Sequence, residues 1–369
     1  MGKSASSLVM LATGGTGGHV FPAQALAQEL AARSWNVLLL VDDRGQRYLS
    51  RLPDAVRTEI TSSATFWRGG LASRAAAPMR ILGGMLSGLN HILRNSPSVV
   101  VGFGGYAAFP AVAAALALRK PCMIHEQNCH LGKANRALSG LVDVVACGAR
   151  TATLPGGSKG VFTGNPVRSD FLECRDRTYD PPAPGRARIL VLGGSQGADV
   201  LDRTVPEAIG ELPAELRGRL HVVQQARGNN VKHVRENYRG MSVDCQVQPF
   251  FDDVPRHLAE AQLVISRAGA STVAEITAVG RPAILVPFAA AVNDHQSENA
   301  RGLVKSGAAV AINESALTPT GLARALLDLL EQPRLALDMA AASRACGVPD
   351  AARQLADQVE RLAGPRRNA

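Results

Sequence analysis

Short apolar runs rich in β-branched residues alternate along the chain with stretches whose apolar positions recur every three to four residues. Leu8-Val9-Met10-Leu11, Val37 to Val41, Val99-Val100-Val101, Met123-Ile124 and Val142 to Ala146 are strand candidates. Helical patterns separate them, the first from about Pro22 to Arg33. The runs are apolar throughout rather than alternating with polar residues. A strand covered on both faces needs that, so the pattern predicts a parallel sheet flanked by helices. Ser96 to Leu118 holds 23 uncharged residues, long enough to span a bilayer. Gly102-Phe103-Gly104-Gly105-Tyr106 and Pro110 interrupt it, which predicts strand, glycine turn and a helix begun near Pro110 instead.

The pattern then restarts. Pro181-Pro182-Ala183-Pro184-Gly185 is the most linker-like stretch, and Ile189 to Leu192 follows it as a strand. That strand runs into Gly193-Gly194-Ser195-Gln196-Gly197, as the first strand runs into Gly14-Gly15-Thr16-Gly17-Gly18, 179 residues earlier. Leu220 to Val223, Val243 to Val247, Leu263 to Ile265, Ala283 to Val286 and Ala308 to Ile312 continue the strands. Helices are expected at Thr272 to Val279, His295 to Lys305, Pro319 to Leu330, Arg334 to Cys346 and Asp350 to Leu362. The repeat predicts an α/β chain of two doubly wound domains, 1–165 and 166–349, with a last helix at about 350–369 packing back on the first.

Composition narrows the functions. The 369 residues are 46% hydrophobic and 19% charged, which excludes wholesale disorder. The net charge of +9 lies wholly in residues 1–165, with 16 basic and 7 acidic residues, while the remainder balances at 24 of each. Such asymmetry points to a polyanionic partner for one half. Arg44, Arg47, Arg51, Arg57, Arg68, Arg74, Arg80 and Arg94 face only Asp54 and Glu59 between them. Phe66, Trp67, Leu71 and apolar positions at helical spacing from Met79 to Ile92 lie among these arginines, as a helix resting on an anionic membrane surface requires. Aromatic residues for stacking on bases are sparse, so no nucleic acid partner is expected. Six cysteines without a CxxC pair, and no readable secretory leader, predict reduced thiols in a cytosolic protein. No zinc-type spacing and no Walker A motif occur, so no metal cofactor is expected.

Several polar clusters fall where strands end. Thr13 to His19 opens the first helix; its glycines let backbone N–H groups approach an anion, and His19 beside that cradle suits a general base. Asp42 and Asp43 after the second strand keep a dinucleotide reading open. His125-Glu126-Gln127-Asn128 places four polar groups together after a strand, where open sheets bind ligands. Ser195 adds a hydroxyl to the second cradle, and Arg168 in Gly164-Asn165-Pro166-Val167-Arg168 suits a diphosphate. Ser266-Arg267-Ala268-Gly269-Ala270-Ser271-Thr272 opens a helix carrying Glu275, which suits the two hydroxyls of a ribose. Asn293, Asp294, His295, Gln296 and Asn299 suit sugar hydroxyls or a helix cap.

In this order the motifs resemble the MurG family, the UDP-N-acetylglucosamine:lipid I N-acetylglucosaminyltransferases of bacterial peptidoglycan synthesis, over nearly the whole chain. The resemblance rests on Gly14 to His19, Gly104-Gly105-Tyr106, His125 to Asn128, Gly164 to Arg168, Gly193 to Ala198 and Arg267 to Glu275. It implies a GT-B fold, two Rossmann-like domains facing across a cleft. It implies an inverting transfer of N-acetylglucosamine to the C4 hydroxyl of N-acetylmuramic acid in lipid I, giving lipid II. Carried onto this chain, the Phe251 backbone would meet uracil, Glu275 the ribose, and Gln296 the sugar. Ser195, Arg168, Ala270, Ser271 and Thr272 would surround the diphosphate, with Arg267, Val273 and Ala274 in the same substrate-binding segment. Thr16, Gly17 and Gly18 would take the acceptor, with Tyr106 in the neighbouring motif, and Asn128 would reach the donor sugar. His19 would be the base, with Glu126 second. The resemblance also implies a peripheral place on the cytoplasmic face of the inner membrane, beside other cell-wall synthesis and division proteins. His295 stands where the family often has Gln, and Asp202 where Asn is common. The alternatives are a related GT-B transferase with another lipid acceptor, an NAD-linked oxidoreductase, and a non-catalytic membrane scaffold.

Overall fold

The computed structural model describes residues 7–49, 52–61, 77–182, 185–195, 197–291 and 294–364, without the side chains of 77–82 and 106. Arg51, Phe66, Trp67, Arg68, Leu71, Arg74, Ala183, Pro184, Gln196 and Asn293 therefore lie outside the described residues, as do the side chains of Met79 and Arg80.

The first half forms β1 (Leu8–Ala12), α1 (Gly17–Ala32), β2 (Asn36–Val41), α2 (Asp43–Gln46), β3 (Val56–Ile60), α3 (Ala77–Asn95) and β4 (Val99–Gly102). It continues through α4 (Gly105–Ala117), β5 (Cys122–Glu126), α5 (Lys133–Leu138), β6 (Val144–Cys147), β7 (Gly160–Phe162) and α6 (Ser169–Glu173). The strands pair in parallel in the order β3-β2-β1-β4-β5-β6-β7. Val9 and Leu11 point into one apolar layer, Met10 and Ala12 into the other, and all four are fully buried. This burial on both faces is what the unbroken apolar runs encode.

The second half forms β8 (Ala187–Leu192), α7 (Asp199–Gly210), α8 (Ala214–Arg217), β9 (Leu220–Gln225), α9 (Val231–Gly240), β10 (Asp244–Gln248) and α10 (Val254–Glu260). Then come β11 (Leu263–Ser266), α11 (Ala270–Val279), β12 (Ala283–Leu285), α12 (His295–Lys305), β13 (Ala309–Ala311), α13 (Pro319–Glu331), α14 (Pro333–Cys346) and α15 (Ala351–Ala363). Its parallel sheet runs β10-β9-β8-β11-β12-β13, the same winding as the first.

The chain divides into two compact units, Met1–Ser169 with Pro349–Ala369, and Asp170–Val348. α15 belongs to the first: Leu355, Ala356 and Val359 are fully buried among β1, β2 and α1 residues. Arg33 at the end of α1 pairs with Asp357 at 2.6 Å and Glu360 at 2.9 Å. The first division falls at 169/170 rather than 165/166. The reason is local: the Gly164 carbonyl lies 3.1 Å from His125 Nε2, and Asn165 Nδ2 donates to the Gln127 carbonyl at 3.0 Å, which ties this stretch to β5. The residues just before the proline-rich stretch are tied to the second unit. Gln262 Nε2 donates to the Asp180 carbonyl just before it, and Tyr179 donates to the Gln262 carbonyl at 2.8 Å.

Two helix starts differ from expectation. α1 begins at Gly17, before Pro22, and α4 at Gly105, before Pro110. Proline favours the first helical position, but near a helix start its missing N–H costs little, so the glycines extend each helix backwards. The uncharged stretch from Ser96 to Leu118 is thereby β4, a turn and α4. Among the described residues no helix is long and apolar enough to cross a membrane.

Candidate active site

Each sheet has a switch point where neighbouring strands send their following helices to opposite faces: β1 beside β4, and β8 beside β11. Ligands bind outside the carboxyl ends of strands at such points. The predicted glycine motifs sit there.

In the first unit, Thr16 is the N-cap of α1, and no side chain bond from it closes the helix start. Its Oγ1 stands 3.4 Å from His19 Nδ1. The His19 ring packs into the turn after β4. A Cβ on Gly104, whose φ is +83°, would come 3.3 Å from the ring, so glycine both adopts this conformation and leaves room for the imidazole. Burial holds the His19 pKa below its usual 6.5, against the pull of the Glu126 and Asp42 carboxylates, and the ring bonds the Gly14 carbonyl. A neutral imidazole with one nitrogen engaged by a carbonyl keeps the other to accept a proton. His19 is part exposed. Tyr106 lies in the first turn of α4; its side chain is outside the described residues.

The four polar residues expected together after β5 divide. His125 and Glu126 are the end of the strand itself, extended by pairing with Ala146 and Cys147. His125 and Gln127 turn inward: Gln127 Nε2 reaches the Phe103 carbonyl at 3.0 Å and His125 Nδ1 at 3.3 Å. Burial pushes the His125 pKa down to about 4. Glu126 spends its carboxylate on four N–H groups. Oε1 accepts from Asn128 N at 3.1 Å and Asn128 Nδ2 at 3.2 Å, and Oε2 from Gly132 N and Asn135 Nδ2, both at 2.9 Å. A carboxylate so engaged holds the turn after β5 in place. Asn128 alone of the four is part exposed. Asn135 was not legible as a member of this network. Only its burial and its bonds to Glu126 and the His125 carbonyl reveal it.

Asp42 is also occupied. Its Oδ1 accepts from Gly15 N at 2.7 Å and Gly45 N at 2.8 Å, and Oδ2 faces Arg44 at 3.3 Å. It fixes the glycine turn instead of offering both oxygens to a ribose, while Asp43 beside it is exposed. Arg168 is half-buried, its guanidinium 4.7 Å from the Phe21 ring centroid.

In the second unit, Ser195 is exposed in the turn after β8. α11 opens with Gly269 as N-cap, so no side chain closes that helix start either, and Ser271 to Glu275 are part exposed. Helix starts of this kind carry partial positive charge toward an anion. The turn before it is pinned from α12: Gln296 Oε1 accepts from Ala268 N at 3.2 Å and Phe288 N at 2.9 Å, and Asn299 Nδ2 donates to the Ala268 carbonyl at 3.0 Å. Arg267 is buried. Its Nη1 donates to the Val286 and Pro287 carbonyls and to Glu314 Oε2 at 3.0 Å. Glu314, which no sequence signal marked, also accepts from Ala289 N at 2.9 Å. Phe251 is buried, with the His257 ring edge-on at 5.0 Å. Asp202 is buried and bonds Arg227 N and Asn230 Nδ2. His295 begins α12 beside Asp294, whose φ is +51°.

Residues 9–147 match the glycosyltransferase family 28 N-terminal domain, and residues 188–355 its C-terminal domain. The chain is 44% identical over 360 residues to the UDP-N-acetylglucosamine--N-acetylmuramyl-(pentapeptide) pyrophosphoryl-undecaprenol N-acetylglucosamine transferase of Rhodospirillum centenum, covering 96% of this chain and 94% of that one. It is 44% identical to the transferase of the same name from Caulobacter vibrioides, covering 97% and 99%. Acinetobacter baumannii MurG superposes with a TM-score of 0.75 at 31% identity, over 96% of this chain and 99% of that one.

Proposed function

The chain belongs to the glycosyltransferase 28 family, among the MurG transferases that put N-acetylglucosamine on lipid-linked muramyl-pentapeptide, and from that premise we propose how its residues divide the work. It is a GT-B glycosyltransferase of peptidoglycan synthesis: UDP-N-acetylglucosamine is the donor, lipid I the acceptor and lipid II the product.

The C4 hydroxyl of the muramyl residue attacks the anomeric carbon of N-acetylglucosamine. The new C–O bond forms as the bond to the diphosphate breaks, its electron pair leaves with UDP, and the anomeric configuration inverts. His19 takes the hydroxyl proton. The observation that carries this choice is the state of the two candidates: His19 is held neutral, whereas four N–H groups, two of them from Asn128, occupy the Glu126 carboxylate. Thr16, Gly17 and Gly18 receive the acceptor at the start of α1.

The leaving diphosphate gains charge, and the start of α11 at Ala270 to Thr272, with the Ser195 hydroxyl, compensates it without a metal. Glu275 accepts the ribose hydroxyls and the Phe251 backbone reads uracil. Gln296 has its oxygen on Ala268 and Phe288, so its amide N–H group faces the sugar. Arg267 holds the Val286 to Ala289 loop through Glu314 and acts on the site indirectly. The excess positive charge of the first unit favours peripheral binding to an anionic bilayer at the cytoplasmic face.

The test is product identity. With UDP-N-acetylglucosamine and a lipid I analogue, nuclear magnetic resonance of the product is expected to show a β linkage to muramyl O4. Faster transfer to diacylglycerol than to the lipid I analogue would favour the other-acceptor reading instead.

A further inference from the structure

The last turn of α11 is gripped by arginines. Arg175 Nη1 donates to the Ala278 carbonyl at 2.6 Å, and its Nη2 to the Arg344 carbonyl at 3.3 Å. Arg344 donates in return to the Arg175 carbonyl, and its Nη2 stands 3.7 Å from Asp176. Arg281, 1% exposed, donates to the carbonyls of Val279 at 3.2 Å, Gly280 at 3.1 Å and Ala259 at 2.6 Å. The backbones approach just as closely. A Cβ on Gly347 would lie 2.4 Å from the Thr277 carbonyl oxygen, and one on Gly280, whose φ is +75°, 2.7 Å from Arg344 Cβ.

A helix end carries about half a negative charge, and one cation commonly answers it. Three guanidinium groups here exceed that need and oppose one another. Burial pushes the Arg281 pKa down to about 10, and burial together with Arg344 lowers that of Arg175. Their places in the chain explain the crowding. The chain enters this unit at Asp170 and leaves it after Val348. Arg175 lies five residues after the entry and Arg344 four before the exit. Both chain crossovers are thus fastened to one end of a ten-residue helix whose other end is the Ala270–Thr272 turn.

Resting on the reading that the donor diphosphate sits at that turn, we propose that Arg175 and Arg344 are positioning residues that couple its occupancy to the backbone of both crossovers. A helix about 15 Å long shifts as a rod, so a small displacement at its start is delivered to whatever its far end holds.

Hydrogen exchange with and without UDP tests this in the wild-type chain and in an Arg175→Gln/Arg344→Gln double variant. In the wild type, UDP is expected to slow exchange at 270–275 and also at 170–177 and 344–350, by about threefold or more. The double variant is expected to bind UDP within about threefold and keep protection at 270–275, but lose it at both crossovers, with kcat down about tenfold and donor KM little changed. Should the double variant not fold, Arg175→Gln alone is expected to lose protection at 170–177, and Arg175→Lys, which keeps a donor for the Ala278 carbonyl, to restore part of it. UDP protection at 270–275 without protection at the crossovers in the wild type would overturn the coupling alone. Equal protection at the crossovers in wild type and variant would also overturn it. No UDP protection at 270–275 would overturn the donor-site reading, and the coupling with it.

Discussion

His125 and His19 are both kept neutral by burial, but only His19 has an outlet. His125 has both ring nitrogens in protein contacts, to the Gly164 carbonyl and the Gln127 amide, so its neutrality serves the fold. Its pKa is about 4 in the folded chain against 6.5 when exposed, so the unfolded chain binds more protons between those values. Its contribution to stability is therefore complete above pH 6.5 and is lost as pH falls toward 4. From pH 7 to pH 5 that loss is about 2 kcal/mol. Urea denaturation at the two pH values is expected to show a smaller pH dependence in His125→Asn than in the wild type; an unchanged dependence would refute this role. In the sequence, His125 and His19 look alike, each beside a strand end and near glycine or acid. What separates them is which way each ring points, and that is decided by strand pairing of β5 with β6. Ser195, Glu275 and the Ala270–Thr272 turn stand out in the sequence as small residues and hydroxyls at strand ends, and they lie in the turn after β8 and at the start of α11. Glu314 and Asn135 do not stand out, since a single polar residue gains its role only from partners distant in the chain.

At the scale of elements, the strands buried on both faces were legible from composition alone, and the edges were not. β3 reads Val-Arg-Thr-Glu-Ile with its polar residues part exposed, and β7 has three residues, so neither shows an unbroken apolar run. α9 is mostly polar and exposed, which hides its helical period. α15 was expected to return to the first domain, and the structure gives its reason. Leu355, Ala356 and Val359 complete a layer that α1 and the sheet leave open, and Trp35 Nε1 donates to Glu360 Oε1 at 3.1 Å. Leu355→Ala is expected to destabilise the first unit by about 2–5 kcal/mol in urea, because the cavity lies under a fully buried position. A change below about 0.5 kcal/mol would mean that the helix is not an integral part of that core.

At the scale of the whole molecule, the chain builds the same doubly wound unit twice and gives each copy a different chemistry. The first keeps its glycine turn beside a neutral histidine, and residues 1–165 within it carry a net charge of +9. The second has helix starts after β8 and β11 and no excess of positive charge. The duplication was legible from the repeated glycine turn, and side chains such as Asn165 and Gln262 bind the connecting stretches to one unit or the other. The central claim is that donor binding belongs to the second unit and proton removal to His19 in the first. Single-turnover transfer from labelled UDP-N-acetylglucosamine to a lipid I analogue in EDTA tests it, with wild type and His19→Asn side by side and donor binding measured by calorimetry. The account predicts product from the wild type in EDTA, unchanged donor affinity in the variant, and transfer slowed by about 10²–10⁴-fold. A variant that transfers within about threefold of the wild-type rate, or a wild type that is inactive until a metal is restored, would contradict it.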